Sequence, residues 1–173
     1  MTITTLMIKE LRGMTGAGIM ASKKALEESR GDIQAAAAAL AVQGLATAAK
    51  KAGRDTTEGV VQSYVHNGSR VAAMVELNCE TDFVARTPEF KALAYDLAMQ
   101  VAAMSPLYVD NDSIPAGTKD IEDDKVLIEQ SFIKEPDKTV ADLITEMVSK
   151  VGENVRVRRF SRFALGEEDN GAG

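Results

Sequence analysis

Apolar positions in the first fifty residues recur every three or four places. Ile3, Leu6, Met7, Leu11 and Met14 predict an amphipathic helix, which Gly13, Gly16 and Gly18 then break. A second helix is predicted from Ile19 to Ser29, stopping at Gly31. Asp32 is placed to cap a third, with Ile33, Ala36, Ala37 and Leu40 on one face and a stop before Gly44. The alanine run at 35–39 reads as helix filler. Short helices with small side chains bury little apolar area, so this module is expected to be only marginally stable by itself. LATAAKKAGRDTT (45–57) predicts a short helix and then a hinge at Gly53.

Beyond the hinge the period falls to two. GVVQSYVH and SRVAAMVELN predict two strands joined at Asn67-Gly68, a strong hairpin signal. Thr87-Pro88-Glu89 predicts a helix start, followed by the stripe Phe90, Leu93, Ala94, Leu97, Val101 and Met104. Val140, Leu143, Ile144, Met147, Val148 and Val151 form a second stripe between Thr139 and Gly152. NVRVRRFSRFAL is again strand-like. The acidic, proline-punctuated stretch 105–137 predicts a loop with one short helix near 121–130. The fold class that follows is α+β, an N-terminal three-helix module and then an antiparallel sheet covered by helices. The expected division is 1–55 helical module, 56–166 α+β core and 167–173 frayed tail.

Charge adds an asymmetry. Of the net −6, residues 1–55 carry eight basic against five acidic side chains, and the remainder 12 against 21. The basic excess is slight and aromatic residues are few, which argues against nucleic acid as a partner. No apolar run approaches the roughly 20 residues of a membrane span. The N-terminus MTITTLMIKELRG lacks the pattern of a signal peptide, and the lone Cys79 allows no internal disulfide. A cytoplasmic protein is expected.

The candidate chemistry is thin. There is no phosphate-binding glycine signature; GMTGAG (13–18) joins two predicted helices and reads as a turn. Cys79, His66 and Asp82 can be assembled into a thiol-hydrolase triad, although a lone strand cysteine is ordinarily a small buried hydrophobe. A calcium loop counted from Asp110 would need Gly and Glu where Pro115 and Ile121 stand, so no metal or cofactor is called for. Alternation puts Arg156, Arg158 and Arg162 on one strand face with Phe160 among them, facing solvent or a second chain. MVELNCETDFVAR (74–86) sets an acid beside a phenylalanine at a strand end. On pattern alone, Thr81 caps a helical turn and Phe83 tucks into the core; the alternative is that Asp82 and Phe83 serve a partner's pocket.

Two stretches bear on that choice. LRGMTGAGIMASKKAL (11–26) and ELNCETDFVAR (76–86) closely resemble the two signature regions of the elongation factor Ts family, the exchange factors for the translation GTPase elongation factor Tu. LIEQSFIKEPDKTV (127–140) and KVGENVRVRRF (150–160) also resemble that family. The resemblance implies a non-enzymatic guanine-nucleotide exchange factor in protein biosynthesis. Its N-terminal module would be of ubiquitin-associated type, docking on the GTPase through Arg12, Ile19, Met20 and Lys23. Thr81, Asp82, Phe83 and Val84 would reach the partner's nucleotide domain and dislodge its magnesium ion. Asp82 would either repel the phosphate side of that site or hydrogen-bond a displaced partner loop. Family members commonly have an acid where Ala21 stands, which puts one docking contact in question. The chain resembles the short, single-core form, for which a homodimer is expected. The competing readings are a holding partner that binds without promoting exchange and the cysteine hydrolase.

Overall fold

The structure, a computed structural model, describes residues 2–167; the tail expected to fray lies, beyond Glu167, outside the described residues. The chain forms two compact units, one running to Arg54 and including Thr145–Asn154, the other comprising Asp55–Ile144 and the segment from Val155. No helix among the described residues is long and apolar enough to cross a membrane.

In the first unit, α1 (Thr5–Thr15) starts where the Thr4 hydroxyl accepts from the Met7 amide and ends at Gly16, whose φ of 65° lies in the left-handed region. The helix α2 (Ile19–Glu28) is followed by Gly31, whose amide returns to the Leu26 carbonyl, and Asp32 then caps α3 (Ile33–Lys51) through Ala35. Leu11, Ala25, Leu26, Ala36 and Leu40 are the buried core, with Ile3, Met7, Ile8 and Ala21 packed around it.

Gly44 does not stop the third helix, contrary to expectation. The predicted third and fourth helices are one continuous α3, because residues 45–51 are good helix formers and the glycine has another use. A Cβ on Gly44 would lie 2.8 Å from the Ser149 hydroxyl, so its missing side chain admits the C-terminal turns of α6 (Val140–Val151). Beyond that helix, Asn154 donates to the Ala52 and Arg54 carbonyls at 3.2 and 2.8 Å.

The second unit is built on a three-stranded antiparallel sheet in the order β1 (Glu58–Val65), β2 (Val71–Cys79), β5 (Val155–Ala164). The hairpin falls at Asn67-Gly68 as expected, with Gly68 at φ 84° and the His66 amide bonded to the Val71 carbonyl. Ala73, Val75, Leu77, Cys79, Val155 and Val157 fill one face, covered by α5 (Pro88–Met104) through Phe90, Leu93, Ala94, Leu97 and Val101. The Thr87 hydroxyl caps α5 and Pro88 stands at its start, as the sequence predicts.

Two further readings are corrected. The register between β2 and β5 shifts at Glu76/Leu77, so one extra residue of β5 is accommodated there. That bulge inverts the alternation: Arg162 turns to the helix side and donates to the Ala102 carbonyl at 3.0 Å, whereas Arg158 and Arg159 remain exposed beside Glu76. The three arginines therefore do not share a face. The short helix expected at 121–130 is instead two 3-10 turns, Asp123–Lys125 and Leu127–Glu129, followed by an unforeseen hairpin of β3 (Ser131–Phe132) and β4 (Glu135–Thr139). A fully buried amide holds this hairpin to α5. Gln100 donates to Gln130 Oε1 at 3.1 Å and the Ser131 carbonyl at 3.0 Å, and accepts from the Ile133 amide at 3.0 Å.

Gly59 offers a direct test of the sheet. A Cβ at this residue would stand 2.2 Å from the Leu77 carbonyl oxygen, and its φ of 155° lies where side chains are rarely accommodated. Gly59→Ala is expected to destabilise the second unit by about 1–3 kcal/mol, seen as a lower denaturant midpoint and faster amide exchange along β1. An unchanged midpoint would contradict this packing.

Candidate functional site

The strand β2 runs into the site. It ends at the buried Cys79, and Thr81 then caps a four-residue turn, α4 (Asp82–Ala85). Thr81 is extended, at φ −129° and ψ 154°, and its hydroxyl accepts from the Val84 amide at 3.5 Å. The Cys79 thiol donates to the Thr81 carbonyl at 3.1 Å. On the far side, the Thr87 hydroxyl donates to the Val84 carbonyl at 2.8 Å before serving as the cap of α5. A turn this short would not persist in isolation; here both ends are tied to longer elements.

Val84 and Ala85 are both buried, at 9% and 5% exposure. Residues advance about 100° per step around a helical turn, so packing these two inward aims the preceding side chain about 150° from the buried direction. Phe83 is accordingly 79% exposed, the most exposed large hydrophobic residue among those described. The expectation that Thr81 caps the turn holds, and the expectation that Phe83 joins the core does not. The reason is geometric: Val84 and Ala85 occupy the inward side. Asp82 stands on the flank, half-exposed, with its Oδ2 2.7 Å from the Arg86 guanidinium. That i, i+4 pairing was legible in the spacing and was missed.

The second set of residues lies on the first unit. Arg12, exposed on α1, donates from Nε to the Ala17 carbonyl at 3.2 Å and so braces the connection to α2. Ile19 and Met20 open α2 at 57% and 75% exposure, and Lys23, one turn on, forms an exposed ion pair with Glu27 at 3.7 Å. These four residues thus surround one helix–helix corner and present apolar surface with a cationic border. Ala21 is only partly exposed and packs on the core, so the departure from the family's acid falls at a half-buried position. Thr81–Val84 and Arg12–Lys23 belong to different units.

The hydrolase triad fails on register. His66 lies at the hairpin turn, where Val65 faces Ala72, whereas Cys79 faces Glu58 at the other end of the same ladder. The seven residue steps from Ala72 to Cys79 amount to about 23 Å of strand. The His66 ring is paired instead with the Tyr64 hydroxyl at 3.0 Å. Asp110, the start of the rejected calcium loop, caps the turn Asn111–Ser113 by accepting from the Ser113 amide at 2.8 Å.

A further surface was not anticipated. The sheet face opposite α5 carries Val61, Val65, Met74 and Phe163, exposed at 62%, 59%, 48% and 70%. Strand alternation in β1 and β2 could have shown it, since apolar residues fall on both faces of those strands.

A family model described as "Elongation factor TS" matches residues 44–125, which include α4. Relatives named "Elongation factor Ts" are found in Carboxydothermus hydrogenoformans, 47% identical over 95% of this chain and 90% of the relative, and in Thermotoga maritima, 46% identical over 96% and 98%. The relative of that name in Herpetosiphon aurantiacus is 44% identical over 96% and 99%. The class is therefore that of the translation elongation factors. Within it, the chain belongs to the elongation factor Ts family.

The turn makes a prediction about stability alone. Phe83→Ala should leave the unfolding midpoint within about 0.5 kcal/mol of wild type, because the ring is in water. Val84→Ala should cost about 1–3 kcal/mol, because its side chain is enclosed. A large loss from the phenylalanine variant in chemical denaturation would mean that the ring packs on its own protein.

Proposed function

We propose that the chain binds elongation factor Tu in its GDP form and accelerates GDP release without making or breaking a bond itself. The observation that carries this reading is Phe83, a large apolar side chain held 79% exposed on a turn fixed at both ends. Thr81 shapes that turn and Val84 anchors it. Phe83 inserts between elements of the partner, Asp82 disturbs the groups that hold the partner's magnesium ion, and loss of the ion loosens the phosphates. Arg12, Ile19, Met20 and Lys23 dock the first unit on the GTPase.

Energetics decide how the work is divided. Nanomolar retention of GDP corresponds to about 12 kcal/mol. The factor does not have to supply all of it. It has to favour the nucleotide-free partner over the GDP form, and the weakening is then mutual. Release accelerated by about 10⁴ requires about 5.5 kcal/mol off the barrier. Burying one phenylalanine contributes about 1.5–3 kcal/mol. The wedge is insufficient alone, so the remainder comes from the disturbed metal contacts and from docking elsewhere.

The open sheet face favours a second statement, that two chains pair through it. Val61, Val65, Met74 and Phe163 are exposed apolar residues on one sheet face, and apolar surface of this kind marks an interaction site. Phe163→Asp should then convert a dimer to a monomer in sedimentation without unfolding it; a wild-type monomer at high concentration would rule the pairing out.

The exchange reading is tested by release of a fluorescent GDP analogue from elongation factor Tu. Phe83→Ala should lower the rate at saturating factor by about 10- to 100-fold, with much less change in half-saturating concentration. Ile19→Ala/Met20→Ala should instead raise the half-saturating concentration by about tenfold or more while sparing the saturated rate. Equal losses of rate and affinity in the Phe83 variant would remove the wedge. A wild-type protein that binds without speeding release would be a holding partner.

A further inference from the structure

The ion pair between Asp82 and Arg86 is not needed to hold the turn. Thr81, the Thr87 hydroxyl and the buried Val84 and Ala85 already fix its backbone. The pair is exposed as well, with the Arg86 side chain 75% and the Asp82 side chain 42% accessible, and exposed pairs add little to stability. Its effect is on the carboxylate itself. Helical geometry places Asp82, Arg86 and Phe83 within about 100° of one another on the outward side of the turn, with Arg86 between the other two. The guanidinium reaches Asp82 Oδ2 at 2.7 Å, a charge-assisted contact that favours the rotamer in which it forms.

The same contact alters what Asp82 can do to a partner. A carboxylate with a guanidinium against it presents a short dipole, whose field falls away much faster than that of a lone charge. Repulsion of a phosphate at a distance is therefore weak. Local hydrogen bonding is not, because a carboxylate has about four acceptor positions and one contact leaves capacity on Oδ1.

We propose that Arg86 is a positioning residue for Asp82: it holds the carboxylate beside Phe83 in one rotamer with its charge compensated, so that Asp82 acts on the partner as a hydrogen-bond acceptor at contact. This rests on the exchange function proposed above, and it chooses between the two roles that the resemblance left open for Asp82.

The test has two independent readouts on the full chain. In the free protein, side-chain scalar couplings should report a single χ1 rotamer for Asp82 in wild type and averaging in Arg86→Ala. In GDP release from elongation factor Tu, Arg86→Ala should lower the rate at saturating factor about three- to tenfold, the scale of one hydrogen bond, with half-saturation within about twofold. Arg86→Lys should restore most of the rate. Asp82→Asn, which keeps an acceptor oxygen, should retain more activity than Asp82→Ala, and Arg86→Ala should cause no further loss in the Asp82→Ala background.

An Arg86→Ala variant as fast as wild type or faster would overturn the inference, the latter because uncovering the charge would then help. An undiminished loss in the Asp82→Ala background would overturn it too, since Arg86 would be acting on its own. Averaged χ1 in an active wild type would overturn the positioning role alone. A fixed rotamer in a wild type that does not accelerate release would overturn the exchange function, and the Arg86 inference with it.

Discussion

Burial of Val84 and Ala85 is the constraint on which the proposed functional surface depends. Both residues face inward from a turn only four residues long, and that choice leaves Phe83 no route to the core. Water around an exposed phenylalanine is unfavourable, yet the fold keeps it there by means of residues that contribute stability in their own right. The two threonine caps set the limits of the turn, and β2 and α5 hold those caps in place. The presentation of Phe83 is thus a consequence of packing beneath it, and nothing on the outside needs to hold the ring.

The two units divide the work in the proposed function. The helical unit has a small core of leucine, alanine and partly buried aliphatics, and its exposed apolar residues include Ile19 and Met20 at the start of α2 as well as Leu6 on α1 and Val42 and Leu45 on α3. The sheet unit is better provided with large buried side chains, among them Phe90, Leu77, Leu97 and Val101. A rigid support suits a residue that must enter a partner, because little ordering entropy remains to be lost on contact. Docking, by contrast, tolerates a less deeply packed module, since several modest contacts share the affinity.

Much of this organisation was legible in the sequence. Strong local signals were read correctly: Thr87-Pro88 at the start of α5, Asp32 at α3, the Asn67-Gly68 hairpin and the stripe from Phe90 to Val101. The errors occurred where a residue's meaning depends on something distant in sequence. Gly44 resembles a helix stop until Ser149 is brought against it. Arg162 belongs with Arg156 by simple alternation, and only the bulge at Glu76/Leu77 separates them. The β3–β4 hairpin is held by Gln100, thirty or more residues away, so its short strands carry no strong signature of their own. Phe83 is the instructive case, since hydrophobicity predicts burial and the neighbours decide against it. The family resemblance supplied what pattern could not, and the chain's membership of the elongation factor Ts family agrees with it.

In the proposed exchange reaction the exposed ring of Phe83 passes from water into the GTPase. Fluorine NMR of 4-fluorophenylalanine incorporated at position 83 would follow the ring directly as elongation factor Tu is added and GDP is removed. The expected result is a solvent-exposed resonance in the free protein and a shifted, solvent-protected one in the nucleotide-free complex. A ring that stays in water within a complex that still releases GDP would contradict it.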